Sequence, residues 1–219
     1  MSSGRTLVVG DVHGCRQELE DLLEAASFRA GHDALVLVGD LVAKGPDSAG
    51  VLGLVRRLQA KAVLGNHDAH VLKHRAGQPL KAHHAQVAAS LSEDDWRTLE
   101  ALPLWLDFPE VNTLVVHAGL LPGVALKLQE KDDLLNLRSI DETGKGSKRV
   151  DGGAPWASKW AGPRFVMFGH DALRGLQRHP YALGLDTGCC YGKALTGAWL
   201  DSRELVSVPA RREWCPIDG

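Results

Sequence analysis

The sequence predicts an α/β fold built from two packed sheets with helices on their outer faces. Three observations carry that prediction. Apolar runs of strand length alternate with amphipathic helical segments through the first third of the chain, the rhythm of covered, largely parallel strands. Four further apolar runs near the end are separated by gaps too short for full helices, so a mixed or antiparallel sheet is expected there. The 219 residues, 44% hydrophobic and 24% charged, suit a single domain over residues 1–219 with a sizeable core. No internal repeat and no linker divides the sequence.

Arg5–Gly10 reads as a buried strand, followed by a helix whose apolar face is Leu19, Leu22, Leu23 and Ala26. Ala34–Val38 is the second strand. After it Pro46 can open a helix with Val51, Leu54, Val55 and Leu58 on one face. Lys61–Leu64 forms a short third strand, with a helix from His67 onward. Residues 78–102 look helical, and Ser92 with Asp95 has the spacing of a capping box before Trp96, Leu99 and Leu102. Leu104–Phe108 and Thr113–Val116 read as strands joined through a turn at 109–112. Residues 123–164 carry the weakest pattern: a helix near 126–137, then the polar, Gly-rich run DETGKGSKRVDGG, expected to be a mobile loop. Phe165–Phe168, Tyr181–Leu185, Leu195–Leu200 and Leu205–Val208 complete the strands.

The chemistry lies at the strand ends. GDVHG at 10–14, GDLVAKGP at 39–46, GNHD at 65–68, HAG at 117–119 and GH at 169–170 each follow an apolar run. A lone Gly-Asp after a strand is usually a turn, and a lone His after an apolar run is usually a satisfied core residue. Five strand ends that all carry potential ligands are not explained that way. Asp11 and His13, two apart in a Gly-flanked turn, can reach one centre. Asp40 has two carboxylate oxygens and could bridge two cations about 3.5–4 Å apart. Asn66 offers an amide oxygen, and His117 and His170 offer imidazole nitrogens. This oxygen and nitrogen set without thiolate suits two divalent ions, Mn²⁺ first, with Fe or Zn²⁺ as alternatives and Mg²⁺ less suited. Hydrolysis of a phosphate ester or anhydride is the leading expectation.

A net charge near −2 announces no polyanion as a bulk partner. No apolar run has the length of a membrane span and no signal segment follows Met1, so a cytoplasmic protein without a membrane partner is expected. Cys15, Cys189, Cys190 and Cys215 show neither an extracellular framework nor CxxC spacing, and the adjacent pair is expected to be reduced. GKGSKR at 144–149 lacks the setting of a P-loop but could form a basic flap. His83-His84 and His70/His74 are assigned to the surface or to packing, and Tyr191 and Trp160 to packing before base stacking.

The five motifs, in this order over residues 7–170, resemble the calcineurin-like metallophosphoesterases and, within them, the phosphoprotein-phosphatase branch. That resemblance implies a four-layer α/β/β/α sandwich with two mixed sheets. It implies that Asp11 and His13 hold a first metal, that Asp40 bridges, and that Asn66, His117 and His170 hold a second. A water activated between the two ions would be the nucleophile. His67 would be the catalytic acid, oriented by a nearby carboxylate. Asp68 is its sequence neighbour but need not be that partner, which stays open because Ala43 stands where the family has Asp. Two departures matter: Ala43-Lys44 stands where the protein phosphatases carry Asp-Arg, and Asp68 where they carry Glu. With Gly14-Cys15, Leu137-Arg138 and the segment LDTGCCYGKALTGAWL at 185–200, these resemble the symmetrical diadenosine tetraphosphatases and the ApaH-like phosphatases. The implied substrate is a small nucleoside polyphosphate, with a phosphoprotein or a capped RNA end as other partners and no oligomeric partner implied. Lys44 and Arg138 are the expected phosphate ligands, Arg as a bidentate fork and Lys as a point charge. A broad phosphomonoesterase or protein phosphatase of the same family is the alternative.

Overall fold

Period-two alternation along four apolar strands builds the layers. The computed structural model describes residues 4–79 and 81–216. The first sheet is ordered β13-β12-β1-β2-β3, from β1 (Thr6–Val9), β2 (Ala34–Leu37), β3 (Lys61–Ala62), β12 (Ala194–Trp199) and β13 (Leu205–Pro209). β1, β2 and β3 run parallel, with Leu7 opposite Leu35, and β12 joins β1 antiparallel, with Leu7 opposite Trp199. The second sheet is ordered β10-β11-β9-β5-β4, from β4 (Trp105–Phe108), β5 (Thr113–Val116), β9 (Phe165–Phe168), β10 (Gln177–His179) and β11 (Ala182–Gly184). β5, β9 and β11 run parallel and both outer strands are antiparallel, so each sheet is mixed.

Side chains of odd and even parity then divide between layers. Leu7, Val9, Leu35 and Leu37 pack under α1 (Arg16–Ala25) and α2 (Ser48–Arg57), with Leu19, Leu22 and Val51. Val8, Val36 and Val38 point the other way and meet Val115, Met167 and Leu183 between the sheets. Leu114, Val116, Val166 and Phe168 cover the far side with Leu134 and Trp156. The order is therefore helix, sheet, sheet, helix, the expected sandwich.

Several elements differ locally from the sequence reading. Asp47 rather than Pro46 caps α2, because its carboxylate accepts the Gly50 N–H at 2.8 Å. The third strand is only two residues long, and the next helix, α3 (Asn66–Leu72), opens at once. The expected helix over 78–102 is two helices, α4 (Ala82–Ser90) and α5 (Glu93–Glu100), and Leu80 within that range lies outside the described residues. The break sits at the capping box: Ser92 Oγ accepts the Asp95 N–H at 3.3 Å, and Asp95 accepts the Ser92 N–H at 2.9 Å. The helix near 126–137 reduces to a 3₁₀ turn at Leu126–Leu128 and α6 (Lys131–Asn136).

The Gly-rich run is not structureless. β6 (Ser139–Ile140) pairs antiparallel with β7 (Gly146–Ser147) and β8 (Ala154–Pro155), just ahead of α7 (Trp156–Lys159). Its turn is closed by Asp141, whose carboxylate accepts the N–H of Thr143 and of Lys145.

Candidate metal centre and substrate cleft

The loops at the C-terminal ends of β1, β2, β3, β5 and β9 converge over the edge where the two sheets meet. Backbone bonds lock the first two together: His13 N–H donates to Asp40 O at 2.7 Å, and Gly14 N–H to Leu41 O at 2.8 Å. His13, Asp40 and His170 all have positive φ, at 49°, 49° and 70°. That conformation is costly for residues with a side chain and concentrates at functional positions. It turns each side chain back over its own strand end. The glycines beside them allow close approach. A Cβ at Gly169 would lie 1.9 Å from Asp11 Oδ1, and one at Gly65 would lie 2.1 Å from Asp40 N.

The result is a buried set of carboxylates and imidazoles. His13 Nε2 is 3.4 Å from Asp40 Oδ2, and His117 Nε2 is 3.6 Å from Asp40 Oδ1. Asp40 Oδ1 accepts the His67 backbone N–H at 2.8 Å, while Asp11 accepts the His170 N–H at 3.1 Å. Asn66 Oδ1 lies 2.9 Å from His117 Nε2 and 3.0 Å from His170 Nδ1. Asp186 is also buried and lines the same cavity.

These donors fit divalent cations. Asp11, Asp40 and His117 each place a ligand atom within 4.8 Å of the others. The buried Nε2 of His170 has no hydrogen-bond partner. His117 Nδ1 donates to Val38 O at 2.9 Å, which leaves Nε2 facing the Asn66 oxygen lone pair to lone pair. A cation shared by both would make that contact favourable. Burial, followed by the neighbouring Asp186 and Asp40, pushes the Asp11 carboxyl well above its usual range. Burial raises Asp186 as well. Burial holds His13 and His170 below theirs, so both offer neutral nitrogen.

Around this floor lies a cavity of about 530 Å³. Asp11, His13, Asp40, Asn66, His67 and His170 line its base, and Lys44 and Arg138 its wall. Lys44 Nζ donates to the Tyr191 hydroxyl at 2.6 Å and sits 3.3 Å from His13 Nε2. Burial works against the Lys44 charge, yet Asp40 and the Tyr191 oxygen outweigh it and raise its pKa. Arg138 donates to His170 O and Lys148 O, both at 3.1 Å, while its buried Nε has no hydrogen bond. Lys148 and Arg149 close the cavity from the β6–β8 hairpin, where a basic flap was expected. Trp160 is spent elsewhere, donating to Arg164 O at 2.8 Å.

Two side chains depart from their expected places. Asp68 does not meet the His67 ring: one oxygen accepts the N–H of Leu41 and Val42 at 2.9 and 3.1 Å, the other that of Gly65 at 3.0 Å. Fully buried, it ties the second and third loops together instead. The partner of His67 is His84, with Nδ1 and Nε2 3.0 Å apart. Sequence reasoning passed over Asp186, which carried a signal, since Leu185-Asp186-Thr187-Gly188 is one more strand end. It weighed His84 and Tyr191 but assigned both to packing or the surface, because only tertiary packing brings them to the cleft.

The profile of the calcineurin-like phosphoesterases matches residues 4–198. The chain belongs to that family. A symmetrical bis(5'-nucleosyl)-tetraphosphatase of Psychromonas ingrahamii is 31% identical over 95% of this chain and 98% of its own length. The asymmetrical bis(5'-nucleosyl)-tetraphosphatase PrpE of Oceanobacillus iheyensis is 27% identical, over 94% and 92%. A crystal structure described as that of a candidate diadenosine tetraphosphatase superposes with a TM-score of 0.88 at 44% identity, covering 100% of this chain and 96% of the other. The family assignment agrees with the resemblance carried by the five loop motifs, and the sandwich with the fold it implied.

Proposed function

We propose that the chain hydrolyses dinucleoside tetraphosphates, splitting diadenosine tetraphosphate into two ADP. One observation carries this reading: a floor of carboxylates and imidazoles and a wall of Lys44 and Arg138 share one cleft, with Lys148 and Arg149 above them. A lone phosphate would need only the floor. A run of phosphates can use the floor and the basic wall together. The tetraphosphatase relatives support the same substrate class.

Asp11, His13 and Asp40 would hold one divalent ion, and Asp40, Asn66, His117 and His170 a second, with Mn²⁺ the first choice. When bound, such ions supply Lewis acidity and acidify water. Asp186 adds a carboxylate on the same side. Asp68 keeps Leu41, Val42 and Gly65 in register, so that Asp40 and Asn66 face each other. Lys44 and Arg138 would bind non-bridging phosphate oxygens and orient the chain of phosphates. His67, in the cavity lining, would give a proton to the leaving phosphate oxygen. Burial and then Lys44 hold its pKa low. An arriving polyanion acts in the opposite sense and favours the protonated ring. The His84 bond fixes that ring, and Tyr191 beside Lys44 offers a face for a base.

The same chemistry with asymmetrical cleavage is the second reading, supported by the asymmetrical relative, which is 27% identical over 94% of this chain. Cytoplasmic operation is part of the proposal, supported by the buried thiols of Cys15, Cys189 and Cys190, none in a disulfide. Among the described residues no helix is long and apolar enough to cross a membrane.

Product analysis tests the proposal. Diadenosine tetraphosphate is incubated with the protein and Mn²⁺, Zn²⁺ or Mg²⁺, and nucleotides are separated by ion-exchange chromatography. ADP as the main product is expected. ATP with AMP would replace the symmetrical reading by the asymmetrical one. Brisk turnover of a phosphopeptide with negligible dinucleotide cleavage would refute both.

A further inference from the structure

Helices α3 and α4 bring four histidines together beside the cleft. His67 and His70 come from α3, and His83 and His84 from α4. His67 Nδ1 lies 3.0 Å from His84 Nε2, and the two rings stack with centroids 5.1 Å apart. The His83 and His84 ring centroids are 3.9 Å apart. One ligand nitrogen from each of His67, His83 and His84 lies within 4.8 Å of the others. His84 is buried and His83 exposed, so the cluster is open to solvent on one side.

We propose that His67, His83 and His84 form a third metal site, separate from the Asp11–Asp40 centre, that takes a borderline divalent ion such as Zn²⁺. Three imidazoles with an open fourth position are a donor set zinc accepts, and the lack of oxygen ligands disfavours Mg²⁺ and Ca²⁺. Two nitrogens at a zinc–nitrogen distance of about 2.0–2.1 Å stand about 3.3–3.4 Å apart around a tetrahedral ion. The 3.0 Å spacing of His67 and His84 needs to open by only a few tenths. Each ring can keep its one proton on its outer nitrogen, so the ion replaces a hydrogen bond and no charge has to be stripped. Burial, and after it His83, holds His84 down to about 4, which leaves it a neutral donor at pH 7. Because His67 also lines the cleft, an ion here ties the ring to α4 and slows turnover. That coupling rests on the proposed role of His67. The binding does not.

Elemental analysis after equilibration with Zn²⁺ tests the site. The wild-type chain is expected to retain three ions and His83→Gln two, with far-UV circular dichroism unchanged because His83 is exposed. Asp40→Asn, which disables the other centre, is expected to keep an ion that the Asp40→Asn/His83→Gln double variant loses. His84→Gln provides a second route to the same loss. In the Mn²⁺-loaded protein, one equivalent of Zn²⁺ should slow wild-type turnover at least tenfold and leave His83→Gln unaffected. Equal zinc content of wild type and His83→Gln overturns the site. Bound third zinc without slowing, or slowing that persists in His83→Gln, overturns the coupling to His67.

Discussion

Asp40 is the residue on which most of the site depends. Its carboxylate lies between His13 and His117, and it also fixes the start of α3 through the His67 N–H. Asp40→Asn keeps the shape but removes the charge, so both ions should weaken and turnover should fall almost to nothing. Metal titration showing two filled sites in a fully active variant would refute the bridge. His67→Asn separates proton transfer from binding. It should leave the ions of the Asp11–Asp40 centre in place and slow a poor leaving group by about 10²–10⁴-fold, the usual scale of general-acid loss. The penalty should shrink for a phenolic ester, whose oxygen departs without a proton. Equal losses across leaving groups would make His67 a positioning residue. At this scale the sequence was informative because each candidate ligand sits in a local signature, a glycine and a polar residue at a strand end. Asp68 shows the limit. Adjacency to His67 in sequence left open whether Asp68 orients that ring; the first turn of a helix sends neighbouring side chains in different directions, and Asp68 meets three backbone N–H groups.

The elements differ in how far local sequence determines them. β1, β2, β5 and β9 are short runs dominated by Val, Leu, Phe and Met, nearly all buried, the pattern of strands covered on both faces. β6, β7 and β8 are two residues each, too short to carry a period. They exist because Arg138, Ser139 and Ile140 find backbone partners on both sides. The α4–α5 break was written in the sequence as a capping box. Ser92→Ala should cost about 1 kcal/mol, the usual value for losing an N-cap, measured as a fall in urea midpoint without change in m. The hairpin has a functional consequence that can be separated from its fold. Lys148→Ala with Arg149→Ala should raise KM for the tetraphosphate about tenfold or more, since a charged contact is worth about 1.5–3 kcal/mol. Turnover of p-nitrophenyl phosphate, too small to reach the hairpin, should stay within twofold. An equal loss on both substrates would show that the hairpin only shapes the cleft.

At the scale of the whole molecule, two sheets meet so that their parallel strands end at one edge, and folding itself gathers like charges there. Asp11, Asp40 and Asp186 are buried together, and burial lifts Asp40 to about 6. A carboxyl raised in this way stabilises the fold below its unfolded pKa near 3.9, and that share is lost as pH rises through the folded value. The buried histidines act with the opposite sign. His117, lowered to about 4 by burial, contributes stability above the unfolded pKa near 6.5 and loses it as pH falls through 4. At pH 7.5 the His117 share is complete, and Asp40 and Asp186, both lifted to about 6, are charged and repelling. A divalent ion relieves that repulsion there, whereas at pH 5 it must first displace the proton from Asp40. Adding Mn²⁺ at about 100 times its dissociation constant should contribute about 2.7 kcal/mol per site. For a chain of this size, that is a rise in Tm of roughly 5–10 °C per site at pH 7.5. The rise should fall to less than half at pH 5. Differential scanning fluorimetry of the chelator-treated protein with and without Mn²⁺ measures both shifts. Equal shifts at the two pH values, or none at pH 7.5, would mean that the clustered carboxylates are not where the ion binds.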